Sequence, residues 1–355
     1  MGRGVIAGGE DDMATTLKDV AKLAKVSLTT ASFALNGKPV NEETRKRVKD
    51  AAEKLHYYVD VNGRNLSTKK THNISFVILN ETEEQDYTMQ ISYYYRMLKG
   101  IMDFAQSREY SVKYEVVSWN QMRKSDYFER LVYGHSVDGV IVVPQYKYSC
   151  DFIQLFEEES FPYVIINPWF EIGRKHKVQI NNYIGGMLAA DYILRRHYQN
   201  IYLINGPKHH VSASEIESGF LASLLQRGVA FDVSRILYAD YTFEGGAEAM
   251  RSLLDEKDLI GSVVLCSNDN MAAGALTAVR ERGLSVPDEV SLIGYDGQEI
   301  SQMVYPKLTT MSVDTLQVGV RAAKRLFGIM EDDPEQKFFR EIIIIPELME
   351  GGSTK

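Results

Sequence analysis

The sequence predicts a small all-α domain followed by a larger α/β body. Between residues 16 and 57, apolar residues recur three and four positions apart, which is the spacing of amphipathic helices. After residue 71, short apolar runs alternate with amphipathic helical stretches, a pattern typical of buried parallel strands joined by helices. Because 355 residues exceed one ordinary domain, we expect the two patterns to belong to separate domains.

The first predicted helix carries a short apolar stripe made of Leu17, Val20, Ala21 and Ala24. Lys25 and Val26 are expected to end this helix in a tight connection. Ser27 follows at the position where a side-chain oxygen would cap the next helix. Two helices joined by so short a turn are predicted to form a helix-turn-helix.

The second predicted helix has an inner and an outer side. Ala31, Ala34 and Leu35 can face inward, whereas the outer side carries Leu28, Thr29, Ser32 and Phe33. In a helix-turn-helix, the N-terminal end of this helix is the one that enters a DNA major groove. A third helix is predicted after Asn41, a suitable N-cap, with an inner stripe of Val48, Ala51, Ala52 and Leu55. Its basic residues are expected to be solvated: Arg45, Lys46, Arg47 and Lys49.

Charge is distributed unevenly between the two patterns. Residues 14–70 hold 12 Lys and Arg against 6 Asp and Glu, a local net charge of +6, whereas the whole chain has a net charge of −8. A basic module on an acidic body favours a protein that neutralises phosphates at one end. The alternative is a solvated, charged helix face with no partner.

In order and nearly in spacing, these residues resemble the headpiece of the lactose/galactose repressor (LacI/GalR) family of bacterial transcription regulators. The matching stretches are Thr16–Ala21, Val26-Ser27, Thr30–Ser32, Leu35–Gly37, Thr44–Val48 and Leu55–Tyr57. The resemblance continues to the end of the chain through Asn200-Ile201, Ser267–Ala272, Gly283–Pro287, Gly294–Asp296, Leu308–Thr310 and Ser353-Thr354.

The resemblance implies a set of DNA contacts and a hinge. The implied contacts are Thr16, Leu17, Ser27, Leu28, Thr29, Thr30, Ser32, Phe33, Asn36, Arg45 and Leu66. Leu66 matches the hinge leucine that, in the family, wedges into the minor groove at the operator centre. Phe33 stands where the family commonly has Arg, so bidentate bonding to guanine is lost and a different base preference is expected. Gly63 lowers helix propensity in the hinge by about 1 kcal/mol relative to Ala.

The resemblance, which extends to periplasmic sugar-binding proteins, also implies the domain order. We expect a disordered tail at 1–13, the helix-turn-helix domain at 14–59, a hinge helix at 60–71 and an effector-binding core at 72–350. Within the core it implies two doubly wound subdomains with three chain crossings, at about 72–174 with 306–334 and about 175–305 with 335–350. Ligand would bind in the cleft between them, at the carboxyl ends of the strands.

Seven residues are candidates for the lining of that cleft. Asn167, Asn268 and Asp296 match positions that bond ligand hydroxyls, Tyr93 and Tyr241 match aromatic positions, and Trp169 is an added candidate. Amide and carboxylate groups around an aromatic platform suit a ring-shaped, polyhydroxylated solute. For Asn268 the alternative is a helix cap after a strand. Ile216 stands where the family has a ligand-binding Arg, so the effector is expected to be less polar, differently oriented or absent.

Other classes of protein are disfavoured. The chain has no P-loop, G-x-G-x-x-G, G-x-S-x-G or H-E-x-x-H motif, so we expect neither an enzyme nor a cofactor. His209 and His210 are expected to be surface residues rather than a metal site. The two cysteines, Cys150 and Cys266, are expected to be buried, reduced thiols in a cytoplasmic protein without a membrane span. The natural start is Met1 or Met13.

The sequence therefore predicts a homodimeric repressor that binds a palindromic operator under the control of a carbohydrate-like effector. Two alternatives stay open at this point. One is a solute-binding receptor with no role in gene regulation. The other is a regulator controlled by a protein co-repressor, although Tyr305 stands before Pro306 where the catabolite-control subgroup has a phosphate-binding Arg.

Overall fold

A computed structural model describes residues 15–35, 38–55, 57, 70–81, 91–124, 126–147, 150–170, 172, 176–198, 200–333 and 342–355. The chain divides into two compact units, with the break between Thr71 and His72. The predicted tail, Asn36 and most of the predicted hinge, including Gly63 and Leu66, lie outside the described residues.

The first unit is formed by three helices, α1 (Leu17–Ala24), α2 (Leu28–Leu35) and α3 (Glu42–Lys54). Their shared core consists mainly of small side chains: Val20, Ala21, Ala24, Ala31, Ala34, Val48, Ala51 and Ala52. Alanine at the contacts lets short helices approach closely. The predicted inner stripes of all three helices are therefore confirmed.

The turns of this unit are fixed by local hydrogen bonds. Lys25 ends α1 in the left-handed region, with φ 57°. The Ser27 hydroxyl accepts the N–H of Thr30 at 3.1 Å, and Asn41 Oδ1 accepts the N–H of Thr44 at 2.8 Å. Both predicted N-caps are thus confirmed, and each satisfies a backbone donor that the first turn of a helix leaves open.

The second unit contains two sheets. The first sheet is formed by β1 (Asn73–Asn80), β2 (Ser111–Ser118), β3 (Val140–Pro144), β4 (Tyr163–Ile166), β5 (Lys177–Ile180) and β11 (Ile342–Ile344). The second is formed by β6 (Asn200–Asn205), β7 (Ile236–Tyr238), β8 (Ser262–Cys266), β9 (Val290–Asp296), β10 (Thr309–Ser312) and β12 (Glu347–Met349).

Helices connect these strands. They are α4 (Ile91–Gln106), α5 (Trp119–Lys124), α6 (Tyr127–Tyr133), α7 (Phe152–Glu158), α8 (Asn182–Arg195), α9 (Val211–Gln226), α10 (Phe243–Glu256), α11 (Asp269–Glu281), α12 (Ile300–Met303) and α13 (Thr315–Met330), with a 3₁₀ turn at Val233–Arg235. Within the described residues, none of these helices is long and apolar enough to span a bilayer.

The strand orders are β11-β5-β4-β3-β1-β2 and β12-β10-β9-β8-β6-β7. The described pairings are parallel except that of β10 with β12. Alternate strand residues face different helix layers, as Val77 and Ile78 of β1 do. This two-sided burial gives the predicted doubly wound architecture.

The predicted borders of the subdomains are wrong by one short strand at each crossing. The prediction assigned 177–180 to the second subdomain and 309–312 to the first, but β5 pairs with β4 and β10 pairs with β9. Likewise β11, assigned to the second subdomain, pairs with β5. Each of these strands has three or four residues, too few for an apolar run to reveal its sheet.

Candidate functional site

The outer side of α2 is exposed. Leu28 is 45% exposed and Phe33 is 38% exposed, Thr29 is also exposed, and Ser32 is half-buried. Lys38 Nζ lies 5.1 Å from the centroid of the Phe33 ring, so a cation accompanies this aromatic side chain. An exposed, mostly uncharged surface at the N-terminal end of a helix can contact base edges and thymine methyl groups.

The remaining predicted DNA contacts of α1 and α2 lie at helix starts. The N–H and the hydroxyl of Thr16 both donate to Asp19 Oδ2, at 2.9 Å and 2.7 Å, and Leu17 beside it is half-buried. The Ser27 and Thr30 hydroxyls lie 2.8 Å apart. These side chains fix the first turns of α1 and α2, and the start of a helix is where a phosphate can be bound.

Arg45 is not solvated as predicted. Its guanidinium donates from Nη1 to Ala34 O at 3.2 Å and from Nη2 to Lys38 O at 3.0 Å, and only 19% of the side chain is exposed. Carbonyls at the end of α2 need donors, and a cation suits the negative end of the helix dipole. Lys46, Arg47 and Lys49 are exposed as predicted.

Arg45→Ala is expected to destabilise the first unit by about 1–3 kcal/mol, because two charge-assisted bonds to backbone carbonyls are lost. Arg47→Ala removes the same charge from an exposed position and serves as the matched control. Amide hydrogen exchange in α1, α2 and α3 of the full chain, followed at increasing denaturant concentration, measures both. Equal unfolding midpoints for the two variants would contradict the bridging role of Arg45.

The second unit contains a cavity between its two sheets. The empty space within it, counted out to its open mouth, is about 720 Å³. Its walls include Pro144 and Asn167 at the ends of β3 and β4, and Ser267 and Asp296 at the ends of β8 and β9. The cavity therefore lies at the carboxyl ends of strands from both sheets, as ligand sites of α/β proteins do.

Six of the seven predicted cleft residues are brought together here: Tyr93, Asn167, Ile216, Tyr241, Asn268 and Asp296. Trp169 is not part of the described lining and is 38% exposed, with its ring against Phe170. A ligand contact by Trp169 therefore stays a prediction.

The Asn268 side chain caps α11. Its Oδ1 accepts the N–H of Met271 at 2.8 Å and its Nδ2 donates to Tyr241 O at 2.9 Å. The helix-cap interpretation is thus confirmed, and a direct ligand contact stays a prediction. Asn167 has a comparable structural bond, since its Oδ1 accepts the N–H of Ile180 at 2.6 Å.

Three residues of the cavity wall have left-handed backbone conformations. Asn167 has φ 53°, Tyr241 has φ 69° and Asp296 has φ 93°. Non-glycine residues in this region are strained, and such strain concentrates at ligand sites. The Tyr241 ring is also pressed against Gly206, where an added Cβ would come within 2.1 Å of the ring.

Sequence reasoning missed several residues of the wall. Tyr94, Gln145, Asn182, His210 and Tyr295 all line the cavity. Gln145 Nε2 donates to the Tyr94 hydroxyl at 2.6 Å, and the Tyr295 hydroxyl donates to Asn182 Oδ1 at 3.3 Å. Tyr295 falls inside a stretch that resembles the family, Gly294–Asp296, and that position was the one available signal.

His210 is not the surface residue that its pairing with His209 suggested. Its ring is buried between Tyr146 and Tyr241, with centroids 5.2 Å and 4.9 Å away, and its Nδ1 lies 3.2 Å from the Tyr241 hydroxyl. Burial lowers the pKa of His210 to about 3, so the imidazole is neutral. Among the described residues, no group of His, Cys, Asp or Glu could hold a metal ion.

Asp296 is the only acidic residue in the described cavity lining. Burial raises the pKa of this carboxyl to about 7, although Gln298 Nε2 donates to its Oδ2 at 3.1 Å and lowers it in part. A carboxyl group that changes charge near pH 7 can accept hydrogen bonds when it is ionised and donate one when it is protonated.

Two family models match this chain. Residues 16–60 match the model for bacterial regulatory proteins of the lacI family, and residues 190–354 match that for a periplasmic binding protein-like domain. A protein of Bacillus subtilis (strain 168) named probable HTH-type transcriptional repressor ExuR is 30% identical over 323 residues, covering 91% of this chain and 93% of the relative. The chain belongs to the lacI family.

A further relative and two solved structures extend the comparison. The HTH-type transcriptional repressor PurR of Actinobacillus pleuropneumoniae serotype 3 (strain JL03) is 29% identical, covering 96% of this chain and 98% of the relative. A structure of transcriptional regulator CelR with cellobiose is 25% identical, with TM-score 0.69, covering 96% of this chain and 99% of that one. The lac repressor dimer bound to operator and the anti-inducer ONPF shares the fold at 22% identity, with TM-score 0.80 over the same shares.

Proposed function

We propose that this protein is a sequence-specific DNA-binding repressor whose operator affinity is set by a small molecule in the cavity. The observation that carries the proposal is the exposed outer side of α2 on a small helical unit whose basic side chains Lys46, Arg47 and Lys49 face solvent. Exposed cations neutralise phosphates and position the unit, while α2 reads bases. Chromosomal DNA as partner implies that the protein works in the cytoplasm.

The direct DNA contacts we propose are Leu28, Thr29, Ser32 and Phe33, with the capped starts of α1 and α2 against phosphate. For Asn36 and Leu66 we propose the DNA contacts that the family resemblance implies. We propose that Arg45 acts by holding the end of α2 in place rather than by binding base edges, because its Nη1 and Nη2 each donate to a backbone carbonyl.

The cavity is the proposed site at which DNA binding is regulated. Its wall comes from both sheets, and the subdomains are joined across it where the N–H of Val211 donates to Gln145 O at 2.9 Å. A solute held between the two sheets favours one arrangement of the subdomains over another, which is the differential affinity that allostery requires. We propose Tyr93, Tyr241 and Asp296 as its principal contacts, and a regulatory rather than catalytic use of the site.

We further propose that the protein acts as a dimer. Helix-turn-helix units of this kind read two half-sites about one helical turn apart, so a two-fold operator demands two copies. The two-fold symmetry of the operator sequence can be measured.

Selection of duplexes from a random-sequence pool by the full chain tests the proposal. The expected consensus is a palindrome with two half-sites whose centres are separated by about 10 base pairs or a multiple of that spacing. Recovery of sequences without any consensus, at a salt concentration that suppresses non-specific binding, would refute sequence-specific recognition.

A further inference from the structure

The outer side of α2 carries no charged side chain. Neither Lys, Arg, Asp nor Glu occurs in this helix, and the outer side consists of Leu28, Thr29, Ser32 and Phe33. The leucine, the threonine methyl group and the phenylalanine ring can pack on thymine methyl groups. A hydroxyl has a single hydrogen to donate, so none of these side chains can donate two hydrogen bonds to one guanine. Strong recognition of guanine on this side therefore needs a donor from outside α2.

Lys38 brings such a donor to α2. Its N–H donates to Phe33 O at 3.0 Å, and its own carbonyl oxygen accepts a hydrogen bond from Arg45 Nη2 at 3.0 Å. Both backbone polar groups of Lys38 are therefore bonded, one to the last turn of α2 and the other to α3. These two bonds fix the backbone of Lys38 relative to the outer side of α2.

The side chain of Lys38 extends over the Phe33 ring. Its Nζ lies 5.1 Å from the ring centroid, within the distance at which a cation is attracted to an aromatic face. Both side chains are exposed, and among the described residues no carboxylate forms an ion pair with Lys38. A lysine that is already held loses less rotamer freedom on binding, so the ring prepares the ammonium group for a partner on this side of α2.

The distance between the two groups suits neighbouring base pairs. Successive base pairs of a duplex are about 3.4 Å apart along the axis. A cation 5.1 Å from the ring centroid therefore reaches the base pair that the ring contacts or the next one. In the major groove, lysine donates to O6 and N7 of guanine, and an aromatic ring packs on the methyl group of thymine.

We propose that Lys38 reads a guanine that lies within one base pair of a thymine whose methyl group packs on Phe33, and that the Phe33 ring supports the ammonium group. The inference rests on the proposed function only in taking α2 as the helix that enters the major groove. Lys38 then specifies sequence, whereas the exposed cations of α3 contact phosphates and position the unit. Arg45 is a positioning residue that acts through the carbonyl of Lys38.

The duplex selected by the full chain, and duplexes with each base pair replaced in turn in both half-sites, provide the test by fluorescence anisotropy. The parent is expected to prefer guanine at one position of each half-site by about tenfold over every other base. Lys38→Met keeps the length of the side chain and removes the ammonium group. This variant is expected to bind all four bases at that position within about twofold and to keep its preferences elsewhere, because a lost base contact relaxes specificity only at its own position.

Three further variants identify the cause. Lys38→Arg retains donors for guanine and is expected to retain the preference. Phe33→Leu keeps an apolar side chain but removes the ring, and is expected to lower the preference for guanine by about two- to fivefold, because the ammonium group loses its support. Lys49→Ala, the control, removes an exposed cation of α3 and is expected to weaken binding to every duplex by the same factor.

Two results would overturn the inference alone. One is an equal loss of affinity for every duplex with Lys38→Met, as expected for a phosphate contact. The other is a selected consensus in which no preference for guanine depends on Lys38, which leaves sequence-specific binding intact. Recovery of sequences without any consensus is a different result, since it refutes the proposed function and the role of Lys38 with it.

Discussion

Asp296→Asn is expected to raise the melting temperature of the ligand-free protein at about pH 8 by roughly 3–6 °C. The carboxyl pKa is raised by burial to about 7, so the folded state holds a proton that the unfolded state releases near pH 4. Stability from this group is therefore greatest at low pH, falls as pH rises from about 4 to about 7, and stays low above pH 7. Asn carries no charge to desolvate, so the stability of the variant exceeds that of the parent most above pH 7.

The same variant is expected to weaken binding of a neutral ring solute by at least about tenfold, because the strongest hydrogen-bond acceptor of the cavity is lost. DNA binding by the ligand-free chain should be retained. Asp288→Asn, at an exposed position of the same unit, is the matched control. Melting curves at about pH 5 and pH 8 measure the first effect and calorimetry the second. Identical pH profiles and solute affinities for Asp296→Asn and the parent would remove Asp296 from the site.

Lys46→Ala combined with Arg47→Ala is expected to weaken DNA binding to all sequences and to flatten its salt dependence. Each lost phosphate contact reduces the slope of log affinity against log salt by about 0.9, so the double change should reduce it by about 1.8 per chain. At low salt this corresponds to a loss of at least about tenfold in affinity. Both side chains are exposed, so the fold of the first unit should be unaffected.

The control for this pair is Lys257→Ala with Lys307→Ala, which removes the same charge from exposed positions of the second unit. Fluorescence anisotropy of a labelled duplex at several salt concentrations distinguishes the two double variants. If both double variants reduce the slope equally, general charge rather than the basic face of α3 governs binding.

Features fixed by neighbours in sequence could be predicted. The caps at Ser27 and Asn41 and the inner stripes of the three helices depend on residues three or four positions away, so the spacing determines them. The strand ends that carry Asn167, Asn268 and Asp296 were also found, because each follows a recognisable apolar run.

Features fixed by distant contacts could not be predicted. Arg45 reaches carbonyls across a turn and between two helices, which no periodicity encodes. His210 is buried because Tyr146 and Tyr241 come from separate stretches of chain to enclose it. The sheet membership of β5 and β10 depends on pairing partners far away in sequence.

We propose that a solute bound in the cavity changes the affinity of the DNA-binding unit for its operator. The most direct measurement is the dissociation constant of the selected palindromic duplex with and without a saturating solute that stabilises the parent. We expect a change of about 5–150-fold with the parent, in either direction, and the same change with Asp296→Asn only at solute concentrations at least about tenfold higher. An unchanged affinity for the duplex when the cavity of the parent is saturated would contradict it.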